Sequence, residues 1–116
     1  MSSEREVVVL SGVRTAIGDY GGALKDMPPS ELAATVQRSL AKMHPGPDRG
    51  VKQAGFRVLV TAFMPAVLVE IGFGTNAAEA RYIRDPRRQR EIAASIADAT
   101  MQYLAGYQRR ANAASQ

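Results

Sequence analysis

A chain of 116 residues, 46% hydrophobic and 22% charged, has the size and balance of a single globular domain with one core, not of a disordered tail. Its longest mainly apolar runs, Val7–Leu10 and Ala62–Val69, fall far short of the roughly 20 residues that cross a bilayer, so no membrane partner is expected. Cysteine is absent, which excludes disulfides, thiolate nucleophiles and cysteine-based zinc sites, while the net charge of +4 directs attention to where the arginines fall.

The start, Met1-Ser2-Ser3-Glu4-Arg5-Glu6, sets acidic residues ahead of a short apolar run. A secretory signal wants a basic start and a longer apolar stretch, so the expected location is the cytoplasm. Glu6–Leu10 (EVVVL) is β-branched and closed by Ser11-Gly12, which suits a strand buried on both faces. Thr15–Met27 holds Gly18, Gly21 and Gly22 without a period and reads as a loop ended by Pro28-Pro29. No P-loop lysine follows these glycines and they do not spell G-x-G-x-x-G, so they are turn formers, not a phosphate cradle.

A helix is predicted next. Ser30 serves as N-cap, Glu31 complements the positive end of the dipole, and Leu32, Val36, Leu40 and Met43 form one apolar stripe. His44-Pro45-Gly46-Pro47 stops it, and Asp48–Gly55 is polar and loop-like. Phe56–Thr61 (FRVLVT) and Ala66–Glu70 (AVLVE) read as two strands, and the short link between them predicts antiparallel neighbours. Asn76 with Glu79 makes a capping box for a short helix reaching about Arg84. Asp85-Pro86 opens another helix, striped by Ile92, Ile96, Ala99 and Tyr103 and ending near Tyr107. Residues 108–116 are predicted to fray.

The element order is therefore β-α-β-β-α-α. The expected fold is α/β, a small three-stranded mixed sheet packed with about three helices, as one composite domain over residues 1–107. The first strand, the first helix and either later strand would complete a right-handed β-α-β unit.

Arg81, Arg84, Arg87, Arg88 and Arg90 are interrupted by Asp85 and Glu91. That pattern describes a solvated mixed-charge helix face, and Tyr103 and Tyr107, at i,i+4 spacing, are placed to pack instead of stacking on bases. No nucleic-acid partner is expected.

Residues 5 to about 36, REVVVLSGVRTAIGDYGGALKDMPPSELAATV, resemble the start of the thiolase family through the strand, the VRTAIG turn, the GGALKD loop and the opening of the helix. The resemblance implies acyl-CoA condensation or thiolysis by a nucleophilic cysteine far downstream, and this chain has no cysteine. Residues about 31 to 107 resemble the C-terminal part of the zinc-dependent N-acetylmuramoyl-L-alanine amidases, carried by DRGVKQAGFRVL, MPAVLVEIGFGTN and AAEARYIRDPRRQREIAASIADA. The two resemblances meet inside Ser30–Met43, so residues 1–36 are thiolase-like and 37–107 amidase-like.

The amidase resemblance places the family's catalytic acid/base carboxylate on Glu70. Amide hydrolysis of this kind needs a metal held by about three protein ligands with a position left for water. The family supplies His, Glu and His from segments upstream of the matched region, where the thiolase-like piece stands here. His44, the single histidine, is the one candidate ligand, with carboxylates such as Asp48 to help it. It sits after the helix, whereas the family's last zinc histidine precedes the equivalent helix; a histidine favoured by the helix dipole is the plainer reading. No zinc or other cofactor is expected. Glu70, without that shell, would cap a sheet end by bonding a backbone amide or an arginine.

The expected function is a truncated peptidoglycan amidase-like domain that does not hydrolyse on its own; any activity would be cleavage of a cell-wall amide, not a thiolase reaction. The alternative is a small binding or modulator protein that engages a protein partner through an exposed strand edge or helix face. A fusion with no selected function is the third reading.

Overall fold

The computed structural model describes residues 28–62 and 65–115. Four helices run in the order α1 (Pro29–Ala41), α2 (Arg57–Val60), α3 (Ala77–Arg84) and α4 (Pro86–Ala114).

α1 begins two residues earlier than the serine signal predicts. Pro29 occupies the first turn and Pro28 is the extended N-cap, with φ −72° and ψ 113°. A proline loses nothing at that position because its missing N–H would have no helical partner, and it holds the residue before it extended. Ser30 therefore lies inside the helix. Beyond Ala41 the N–H groups of Met43 and His44 both bond Leu40 O at 3.0 Å, closing the helix before Pro45.

α1 packs against α4, and the pairing of residues fixes the direction. Tyr103 Oη donates to Pro28 O at 3.1 Å, Arg110 Nη2 donates to Glu31 Oε2 at 3.1 Å, and the Ser39 and Ser95 hydroxyls meet at 2.7 Å. From the Glu31–Arg110 pair to the Ser39–Ser95 pair the numbers rise along α1 and fall along α4, so the two helices are antiparallel. Between them Leu32, Val36, Ala99 and Tyr103 are buried, with Leu40, Val67, Val69, Ile96, Leu104 and Tyr107 packed around them. The two stripes read from helical spacing are thus the two faces of one core. Burial pushes the Tyr103 phenol up from its ordinary value, so it remains a neutral donor to Pro28.

α3 turns into α4 at Asp85, which ends one helix and caps the next by accepting Arg87 N–H at 2.8 Å. Pro86 follows in the first turn. Ile83 and Ile92 are buried at this corner, and Gln89 Nε2 reaches back to Ile83 O at 2.9 Å. No helix among the described residues is long and apolar enough to cross a membrane.

Four expectations are corrected. The α/β fold with a three-stranded sheet is not what forms, because among the described residues the regular structure is helical and no strand is present. Phe56–Thr61 is instead the single turn α2, closed by Val60 N–H on Phe56 O at 3.0 Å, with Val58 and Val60 on its exposed surface. Ala66–Glu70 is not helical but pairs with no strand. β-branched residues favour a strand only where a neighbouring strand offers a pleated surface to pack on, and here the intended neighbour satisfies its backbone locally. Glu6–Leu10, the other predicted strand, lies outside the described residues. The remaining correction is at the end of α4, which continues through Ala114 instead of fraying after Tyr107. The Ala-rich segment has high helix propensity, and Arg110 is tied back to Glu31 on α1.

Leu32→Ala, at a residue 4% exposed between the two helices, is expected to lower unfolding free energy by about 2–4 kcal/mol. Urea denaturation followed by far-UV circular dichroism checks this against Met101→Ala, an exposed α4 position expected to stay within about 0.5 kcal/mol.

Candidate functional site

The segment that carries Glu70 crosses the core without becoming a strand. Val67 and Val69 pack on the α1–α4 cluster, while Leu68 and Glu70 are exposed. The segment thus alternates inward and outward, and Glu70 falls on the solvent side. The ion pairs among the described residues join Arg87 and Arg88 to Glu91, and Arg110 to Glu31; none involves Glu70. Among the described residues the expected sheet-end cap is not seen.

Immediately after Glu70 the chain enters a tightly held cluster. Gly72 has φ +138°, a conformation that an L side chain rarely adopts. Asn76 caps α3 by accepting the N–H groups of Ala78 at 3.0 Å and Glu79 at 3.2 Å. Glu79, in the first turn of α3, is buried at 4% exposure, and its Oε2 accepts the Phe73 N–H at 2.7 Å. The capping-box reading thus has the right residues with a different bond: Glu79 reaches three residues past the cap, and the Asn76 N–H goes to Phe73 O at 3.1 Å.

His44 closes the cluster from the end of α1. Its Nδ1 accepts the Gly46 N–H at 2.9 Å, which places the ring proton on Nε2, and Nε2 donates to Ile71 O at 2.9 Å. The ring meets Tyr82 edge-on with centroids 5.2 Å apart, and Tyr82 Oη donates to Met43 O at 3.2 Å. His44 is therefore a bridge between loops, a role its helix-terminal position alone does not reveal. Both glycines in the cluster are required by space. A Cβ on Gly72 would stand 2.9 Å from Ile83 Cδ1 and 3.0 Å from Glu79 Oε2, and one on Gly46 would stand 2.9 Å from His44 Cε1 and 3.1 Å from Glu79 Oε1.

These residues do not fit a zinc ion. A zinc–imidazole bond needs a free ring lone pair, and the His44 lone pair on Nδ1 is spent on Gly46 N–H while Nε2 carries the proton. Asp48, the helper named from sequence, is engaged elsewhere, accepting the Gly50 N–H at 2.8 Å and the Gln37 amide. The Gly50 bond, with that of Gln37, holds its carboxyl below the ordinary value. Among the described residues no group of three or more His, Cys, Asp or Glu side chains converges as a metal site. Sequence reasoning missed Glu79 as the buried carboxylate; the signal was there in two glycines flanking the segment, but nothing local said that they make room for the same side chain.

The arginines at the α3–α4 corner are partly neutralised within α4. Glu91 accepts from Arg87 Nε at 3.0 Å and Arg88 Nη1 at 2.7 Å, and these arginines hold its carboxyl below the ordinary value. Arg88 also lies over the Tyr82 ring, 5.6 Å from its centroid, and Arg49 over Phe73 at 4.6 Å.

The profile of the N-acetylmuramoyl-L-alanine amidase family matches residues 11–102, starting well ahead of the motifs legible by eye. The amidase LytC of Bacillus subtilis is 40% identical over 72 residues, covering 62% of this chain and 14% of that protein. The amidase AmiA of Escherichia coli is 32% identical over 73 residues, covering 63% of this chain and 25% of that protein. The β-ketothiolase BktB of Cupriavidus necator is 71% identical over 34 residues, covering 29% of this chain and 9% of that protein. The chain spans less than half the length of each of these relatives. No solved structure matches.

Removing the buried carboxylate leaves the Phe73 amide without its acceptor, so Glu79→Ala is expected to cost about 1–3 kcal/mol of stability. Glu70→Ala, at an exposed carboxylate, is expected to stay within about 0.5 kcal/mol. Chemical denaturation of the two variants side by side checks the contrast.

Proposed function

The chain belongs to the N-acetylmuramoyl-L-alanine amidase family, and on that premise we propose that these 116 residues are an amidase-like portion bearing the family's acid/base carboxylate, Glu70, and do not hydrolyse peptidoglycan by themselves. The observation that carries this reading is the double engagement of the His44 ring, by the Gly46 N–H and the Ile71 carbonyl, in a chain with no other histidine.

Amide hydrolysis asks for three things at once: a water deprotonated for attack, a carbonyl polarised to receive it, and a proton for the departing nitrogen. Glu70 answers the first and third, taking a proton from water and returning it to the amine. In the family zinc supplies the polarisation. The donor set here does not fit zinc, so Glu70 is left with proton transfer alone, which accounts for only part of the barrier. We likewise assign no acyl transfer to the thiolase-like start, because an acyl-enzyme of that kind forms on a cysteine and the sequence contains none.

The test incubates the purified chain with insoluble peptidoglycan, with and without added zinc, and follows release of stem peptides by mass spectrometry. Release no greater than that of Glu70→Ala is expected in both conditions. Zinc-dependent release by the parent chain that disappears in Glu70→Ala overturns the proposal, as does stoichiometric, chelator-sensitive zinc in the purified protein.

A further inference from the structure

A groove lies away from Glu70. It holds about 350 Å³ between α1 and α4, with Arg38 and Thr35 on one wall and Gln102 and Arg110 on the other. Ala34 and Gly106 are the smallest of its lining residues, and a Cβ added at Gly106 would make ordinary contact with the ends of Arg110 and Arg109, at 3.5 and 3.8 Å. The volume falls within the range of sites for small ligands, at its lower end.

We propose that this groove binds the carboxylate end of a short peptide-sized ligand. Two guanidinium groups line it against one carboxylate, Glu31, leaving an excess positive charge. Arg110 is paired with Glu31, but the two side chains are 61% and 56% exposed, so that bond is screened by water and readily exchanged for an incoming carboxylate. Arg38 donates to a neutral acceptor on its own helix, Thr35 Oγ1, at 3.2 Å. A carboxylate entering between the walls replaces that neutral contact with a charge-assisted, fork-shaped one, the geometry that guanidinium groups provide for carboxylates. The Gln102 amide adds a donor and an acceptor suited to a peptide bond next to that carboxylate. Tyr103 gives the floor an aromatic surface and spends its hydroxyl on Pro28 O. The site stands apart from Glu70 and is independent of whether the chain hydrolyses anything.

The probe is N-acetyl-L-alanyl-L-alanine, titrated into the isotope-labelled chain and followed by two-dimensional amide NMR, with its C-terminal amide, acetate and inorganic phosphate as separate arms. The expected result is saturable shifts at residues 31–38 and 102–110, with the amide form weaker by about tenfold, the loss of one charge-assisted bond. Arg38→Gln is expected to weaken binding similarly. Glu31→Gln is expected to tighten it by releasing Arg110. Gly106→Leu fills the groove without altering a charge and improves helix propensity, so loss of binding in that variant, with circular dichroism unchanged, locates the ligand. The proposal is overturned by an absence of saturable shifts, by equal affinity for acid and amide, by undiminished binding to Gly106→Leu, or by acetate or phosphate binding as tightly as the peptide.

Discussion

The antiparallel contact between α1 and α4 is the interaction on which the other described elements rest. Its buried centre is small, two residues from each helix, and such a centre constrains sliding poorly because aliphatic contacts are not directional. Direction and register come from the polar bonds along its length. Tyr103 reaches the chain entry at Pro28, Ser39 and Ser95 share a bond farther along, and Arg110 meets Glu31. Since Val67 and Val69 pack on the same cluster, the segment leading to Glu70 is laid against this pair instead of against a sheet.

A second constraint determines what happens after Glu70. Burying a carboxylate costs free energy unless hydrogen bonds replace its water, and Glu79 recovers a short bond from the Phe73 N–H. The fold makes room for this by leaving out side chains at Gly46 and Gly72, both of which approach Glu79 closely. One buried acid thereby joins the end of α1, the turn following Glu70 and the first turn of α3. His44 ties the same three pieces by different bonds, which is why the single histidine is structural.

The helices were legible because their signals are local. Proline and asparagine at helix starts, the aspartate between α3 and α4, and apolar residues at helical spacing each speak through contacts within a turn or two. Strands are another matter. Val67 and Val69 of the β-rich run 66–70 do pack inward, but a strand exists only when another strand pairs with it. The β-branched run at 56–61 shows the same limit from the other side: lacking that pairing, it closed a helical turn. Glu79 escaped for a related reason, since its partners at 44, 46, 72 and 73 come together only in the folded chain. The end of α4 was misread because the polar composition suggested fraying, while the helix propensity of its alanines carries it through Ala114.

Burial sorts two carboxylates of the chain, Glu79 and Glu70. Glu79 is enclosed, bonded to backbone and hemmed in by glycines that admit no larger residue, which are the marks of a group committed to holding the chain together. Glu70 follows an inward valine, faces water and bears no structural bond among the ion pairs of the described residues, so the fold constrains its neighbours without using the carboxylate itself. A carboxylate in that position is within reach of whatever approaches, but cleaving an amide depends on a second, electrophilic component. In this chain the imidazole best placed to supply a ligand for such a component is the one the fold has already used. On the proposed reading, an exposed carboxylate beside a histidine already engaged by Gly46 and Ile71 is the physical reason that family membership does not bring hydrolysis with it.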